Sequence, residues 1–195
     1  VINSIGAIHN FKQEKKINKK LNNKRLITIF IGGENNHYLF RLKEGTNICD
    51  KIKELKKNNL NMDILIITSR RTSDEIKNLL IKELNSIAKV WSGEGKNPYE
   101  QSLHNSHCFI ITSDSTSMIS EASISGMPIY VYQLPFKRKS VRFERFHYEF
   151  KKLNITRDLN STNKLNYWTY DKLNESKRIA GIIKKRIIEE SNESK

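Results

Sequence analysis

Cysteine is scarce. Cys49 and Cys108 are the only two in 195 residues, too few for a disulfide framework, so a reducing, cytosolic-type setting is the expectation. Cys108 heads an apolar run, where burial is expected. No apolar run approaches the roughly 18 residues of a membrane span, and the amino terminus lacks the charged-then-apolar order of a signal peptide. A spanning protein is therefore not expected, while peripheral attachment at the inner face of a membrane stays open. The five histidines, His9, His37, His104, His107 and His147, stand in no C-x-x-C or H-E-x-x-H setting, and there is no G-x-S-x-G elbow. No metal or cofactor is expected, and no catalytic residue can be named. His37 and His147 are acid–base candidates, with an ordinary surface or hydrogen-bonded role as the alternative. The chain opens on Val1 and not on Met, as expected for a processed chain or a piece of a longer one.

Acidic residues are also in deficit. Lys and Arg number 35 against 21 Asp and Glu, a formal net charge of +14. Such an excess raises phosphate-bearing ligands, anionic membrane surfaces and nucleic acid as partners, with diffuse solvated charge as the ordinary alternative. Neither a helix-turn-helix nor an RNA-recognition aromatic motif is visible, so nucleic acid ranks last.

What is present is an alternation of short apolar runs and amphipathic stretches. Strands are expected at Leu26 to Ile31, Met62 to Thr68, Lys89 to Trp91, Cys108 to Thr112 and Pro128 to Tyr132. Helices are expected at Asn47 to Asn58, at Ser73 to Leu84 behind the capping run Thr72-Ser73-Asp74-Glu75, at Tyr99 to Asn105, and after Ser115. Phe143, Phe146 and Phe150 share a helical face, read as a cover for the sheet in preference to a membrane helix. A last helix, from about Asn174 to Glu190, offers Ile179, Ile182, Ile183 and Ile187 as a packed face. The fold class is α/β, a Rossmann-like doubly wound parallel sheet of about five strands. The division is a linker and basic arm over residues 1–25, a Rossmann-like nucleotide-binding domain over 26–172, and a C-terminal helix and tail over 173–195.

The stretch from Ile110 to Tyr132 organises this reading. It is a strand, a polar turn, a short helix stopped by Gly126 and Pro128, and another strand. Met118, Ile119 and Ala122 fall on one arc of that helix, and Asp114, Ser117 and Glu121 on another. Ligands of open α/β sheets bind beyond the carboxyl ends of the strands, where three loops should converge. The first holds Gly32 and Gly33, read as a turn with positive φ and a close backbone approach, or as an ordinary tight turn. The second holds Ser69, Arg70 and Arg71, read as phosphate partners or as a solvated pair. The third holds Asp114, Ser115, Thr116, Ser117 and Met118, where free N–H groups and the helix dipole favour phosphate. Glu121 would accept hydrogen bonds from ribose, or stand solvated. Trp91 and Tyr99 flank a turn-rich loop and would stack on a base, or pack beneath the loop. The chemistry suits a nucleoside diphosphate.

Several motifs in order resemble the mitochondrial fission, or elongated-mitochondria, family. They are Ile67 through Thr72, Trp91 with Gly93 and Asn97-Pro98-Tyr99, Thr112 to Ala122, Gly126 to Tyr132, and Arg142-Phe143 with Phe146-His147. The likeness runs from Gly6-Ala7 with His9 to the last helix. It implies a GT-B-type glycosyltransferase architecture of two Rossmann-like halves, this chain resembling the carboxyl-terminal, donor-binding half. The partners implied are a nucleoside diphosphate sugar and the missing amino-terminal half of the same protein. By this likeness Glu121 corresponds to the ribose ligand and Ser115 to Ser117 to the diphosphate loop. The alternative implied by plant members is an adaptor acting on a protein partner or at a membrane surface. One departure stands out: Asp114 or Ser115 replaces the usual turn glycine, and a carboxylate capping the helix would compete with phosphate.

Overall fold

The computed structural model describes residues 1–11 and 24–193. The greater part of the basic arm expected over residues 1–25, residues 12–23, lies outside the described residues. Among the described residues twelve elements follow one another: β1 (Arg25–Ile31), α1 (Leu42–Asn58), β2 (Met62–Thr68), α2 (Asp74–Leu84), β3 (Lys89–Trp91), α3 (Tyr99–Asn105), β4 (Cys108–Thr112), α4 (Thr116–Ser123), β5 (Ile129–Tyr132), α5 (Val141–Lys152), β6 (Thr156–Asp158) and α6 (Glu175–Glu193).

The strands form one parallel sheet in the order β3-β2-β1-β4-β5-β6. Among the described residues there are six strands, not about five. The addition is β6, whose Thr-Arg-Asp sequence has no apolar run to announce it and which is placed by pairing with β5 at Ile129↔Thr156.

Side chains alternate across the sheet as strand geometry requires. In β1, Ile27, Ile29 and Ile31 enter the core beneath α1 and α2, while Phe30 enters the opposite core beneath α3, α4 and α5. In β4, Cys108 and Ile110 take the first face and Phe109 and Ile111 the second. The central strands are buried on both sides, which is why they read as continuous apolar runs. Ile48, Ile52 and Leu55 are buried as their spacing required, but α1 begins earlier than Asn47. Its first turn is held by Glu44, which accepts the Arg41 N–H at 3.0 Å.

Phe146 and Phe150 are buried and Phe143 half-buried, so α5 is a packed amphipathic helix. The expected face of α6 needs correction. Ile179 is buried, but Ile182 is only half-buried and Ile183 and Ile187 are 45% and 57% exposed. The first turns of α6 are bonded to the amino-terminal segment. Ile5 N–H donates to Glu175 Oε2 at 2.9 Å, His9 N–H to Ser176 Oγ at 2.9 Å, and Arg178 to the Asn3 carbonyl at 2.6 Å. Ala7 N–H reaches Ser120 Oγ on α4 at 2.9 Å. Residues 3–9 are thus a strap between α4 and α6.

Candidate functional site

The strand order reverses between β1 and β4, so the loops after them flank the sheet's switch point, the usual ligand crevice of such folds. In this chain the crevice is occupied by side chains. Asp114, its side chain 0% exposed, accepts the Gly33 N–H at 3.0 Å and Arg71 Nη2 at 2.9 Å on one oxygen, and the Thr112 hydroxyl at 2.6 Å on the other. Thr112 Oγ1 accepts the Gly32 N–H at 2.8 Å. Thr72 ties in the β2 loop: its Oγ1 lies 3.0 Å from the Ile31 carbonyl, touches that of Gly32, and accepts the Ser69 N–H at 3.0 Å. Burial pushes the Asp114 carboxyl above its ordinary value, while Thr112, Gly33 and Arg71 pull in the opposite direction.

Two expectations change here. Gly32 and Gly33 are not in the left-handed region; the positive-φ glycines are Gly93, Gly95 and Gly126. Gly32 and Gly33 are required for close approach, because an added Cβ would lie 2.1 Å from Asp114 Oδ2 at the first and 2.0 Å from the Arg71 carbonyl oxygen at the second. Nor does Asp114 cap α4. The cap position is Ser115, with no side-chain cap, so the carboxylate does not compete for the first-turn N–H groups.

The expected site residues therefore divide into groups. Gly32, Gly33, Ser69, Arg71 and Asp114 form the interlock. Arg70 is exposed and makes no hydrogen bond or ion pair among the described residues. Ser115 is buried, and Met118 is half-buried against the second core. Thr116 and Ser117 line a separate cavity of about 680 Å³ between the strap and α5. Among the described residues, Arg142 and Arg145 also line it without ion-pair partners, and Glu149 is the one acid in its wall. Neither arginine was among the expected ligands. Their signal was the basic run Pro135 to Arg145, whose helical phase alone does not show that it meets α4.

Glu121 lies further along α4. It accepts a hydrogen bond from the Tyr99 hydroxyl, whose ring lies 4.6 Å from that of Phe30 and 6.0 Å from that of Phe11. Burial raises the Glu121 carboxyl, with Tyr99 and the nearby His9 opposing it; burial and the Glu121 charge both raise the Tyr99 phenol. Tyr99 is thus the orienting partner of Glu121. Trp91 is half-buried, its indole Nε1 without a hydrogen-bond partner. His37 is 3.2 Å from the Arg138 carbonyl, and His147 Nε2 is 2.9 Å from the Ser113 carbonyl, so each has a structural contact. Among the described residues no group of three or more His, Cys, Asp or Glu could hold a metal ion.

The sequence model of the family described as mitochondrial fission ELM1 matches residues 1–187. The chain belongs to that family. The ELM1-family chain is 29% identical over 166 residues to the uncharacterized protein RP120 of Rickettsia prowazekii, covering 83% of this chain and 46% of that protein. It is 29% identical over 148 residues to mitochondrial fission protein ELM1 of Arabidopsis thaliana, covering 71% of this chain and 34% of that protein. It thus spans less than half the length of either relative. Among solved structures, one assigned as a UDP-N-acetylglucosamine 2-epimerase from Listeria monocytogenes resembles it in fold, with a TM-score of 0.51, 14% identity, and coverage of 90% of this chain and 41% of that one. The ELM1-family domain has the Rossmann-like architecture of one half of a GT-B-type fold.

Proposed function

We propose that this domain binds the nucleoside diphosphate sugar donor of a GT-B-like protein. The observation that carries the reading is the start of α4: its first turn has no side-chain cap, and Thr116 and Ser117 open onto a cavity shared with the unpaired Arg142 and Arg145. Free N–H groups, a helix dipole and two guanidiniums suit a diphosphate. Glu121, one turn beyond Ser117, is assigned to ribose in this reading, with the Tyr99 hydroxyl as its hydrogen-bond donor. Arg70 and Arg71 give way to Arg142 and Arg145 in this assignment, because Arg71 is committed to Asp114. In sugar transfer these charges would stabilise the departing diphosphate without a metal. The acceptor and the general base are assigned to the other half of the architecture.

Calorimetric titration with UDP and GDP tests the reading. Micromolar to sub-millimolar binding is expected, weakened at least tenfold in Arg142→Glu/Arg145→Glu and in Glu121→Ala. Absence of heat at millimolar nucleotide would overturn it.

A second reading, an adaptor at an anionic membrane surface, is favoured by one feature. Val141 and Tyr148 on α5 are 80% and 63% exposed beside Arg138, Lys139, Arg142 and Arg145, none of them in an ion pair among the described residues. No helix among the described residues is long and apolar enough to cross a membrane. Sedimentation with phosphatidylserine vesicles at physiological salt would support this reading only if binding persists there.

A further inference from the structure

We propose that the amino edge of the sheet carries a second ligand site, for a small amphipathic anion: an aromatic or short acyl group ending in a carboxylate, sulfonate or phosphate ester. A cavity of about 500 Å³ lies where β1, β2 and β4 begin, at the end of the sheet opposite the α4 site. Its size is ordinary for a small-molecule pocket. The inner wall is apolar, formed by Ile27, Met62 and Cys108, all buried. Two large apolar side chains stand at its edge in unusually exposed positions, Leu60 at 79% and Tyr167 at 56%. Among the described residues the charged members of the wall are Arg25 and Lys164, and no Asp or Glu lines it.

Those cations are not consumed elsewhere. Helices α1 and α3 point their carboxyl ends toward this edge, and a cation there would ordinarily be accounted for by unsatisfied terminal carbonyls. Here part of that demand is met within the helix ends themselves, and neither cation bonds to a helix carbonyl among the described residues. Asn59 donates its side-chain amide to the Leu55 carbonyl at 2.7 Å and its N–H to that of Lys56 at 3.4 Å, and Ser106 N–H closes on the Ser102 carbonyl at 3.0 Å. The neighbouring acid, Asp63, pairs with Lys24 at 3.6 Å. Arg25 and Lys164 have no ion pair and no side-chain hydrogen bond among the described residues, and the side-chain amides of Asn61 and Asn166, also in the wall, offer further unpaired donors. An apolar wall with cationic and amide donors and no acid is complementary to an anion with a hydrophobic body.

The test is a titration of the full 195-residue chain with naphthalene-1-sulfonate, followed by amide chemical shifts, beside its neutral counterpart 1-naphthalenemethanol. Sulfonate-induced shifts are expected at residues 58–61 and 164–167, with weaker binding of the alcohol. Arg25→Glu/Lys164→Glu should weaken sulfonate binding about tenfold, through loss of two exposed charge contacts. Both positions are exposed, so the fold should survive; Leu60→Asp, at another exposed position, should weaken binding independently. Saturating UDP should leave these affinities unchanged, and a chain that fails to bind UDP should still bind the sulfonate. No shifts at millimolar probe, shifts confined to other surfaces, or equal affinity in the charge-reversed variant would overturn the proposal.

Discussion

Arg71 Nη2 lies 2.9 Å from Asp114 Oδ2, joining the loop after β2 to the loop after β4 against the Gly32–Gly33 backbone. The pair is lopsided: the arginine is 42% exposed and the aspartate 0%. Loss of the arginine strands a buried charge, whereas loss of the aspartate strands the donors around it. Asp114→Ala leaves the Gly33 N–H and the Thr112 hydroxyl without their acceptor, while Arg71 can turn to water. The expected loss is about 3 kcal/mol in urea unfolding, with Arg71→Ala costing about 2 kcal/mol. Unchanged midpoints in both would show that the interlock is not structural.

Gly32→Ala should be the more damaging of two glycine substitutions. Its Cβ would collide with the Asp114 carboxylate, whereas nothing lies within 4 Å of a Cβ at Gly181 on α6. Gly32→Ala is expected to cost about 2–3 kcal/mol. Gly181→Ala should be neutral or gain up to about 1 kcal/mol from helix propensity. Thermal unfolding of the two variants side by side is the check.

Tyr99→Phe tests the orientation of Glu121. The fold should persist, since the ring still packs on Phe30, but the carboxylate loses its hydroxyl donor. UDP affinity should fall about fivefold, near 1 kcal/mol. If Tyr99→Phe and wild type bind equally well, the ribose assignment loses its geometric basis.

Stability should depend on pH through His147. Burial lowers its pKa below the ordinary 6.5, against the favourable contact with the Ser113 carbonyl. The unfolded chain therefore takes up a proton first as pH falls. The stabilising contribution is complete above about 6.5 and is lost on acidification through the lowered folded value. Urea midpoints from pH 7.5 to 5 should decline, and in His147→Gln that part of the slope should vanish.

Acid should also release the strap. The Arg178 guanidinium holds Glu175 below its ordinary value, with help from the Ile5 N–H, while burial opposes. The carboxylate's contribution is present above the ordinary value near 4.5 and is lost as pH falls through the depressed one. Amide exchange at Ile5 should accelerate there, after correction for intrinsic rates, and Glu175→Gln should show the faster exchange already at neutral pH.

The fold was readable because its signals are local. Cys108–Thr112 and, past the exposed Asp63, the Ile64–Ile67 part of β2 announce buried strands by continuous apolar sequence, and Ser73 announces α2 by the cap it provides, accepting the Ile76 N–H. β6 was hidden because three residues of mixed polarity carry no period, and their strand state comes from β5. The isoleucines of α6 show the converse error. Helical spacing identifies an apolar face, but not whether anything lies against it.

The sequence by itself determined the alternation of strand and helix, the placement of loops at the carboxyl edge, and the family, since each rests on residues near one another in the chain. Tertiary structure decided the role of Asp114. The same residues allowed a helix cap, a phosphate competitor or a buried clamp. The choice depends on Arg71, 43 positions away, and Gly33, 81 positions away, which meet the carboxylate only once β1, β2 and β4 are paired. With Asp114 turned into that clamp, the start of α4 is left open toward Arg142 and Arg145.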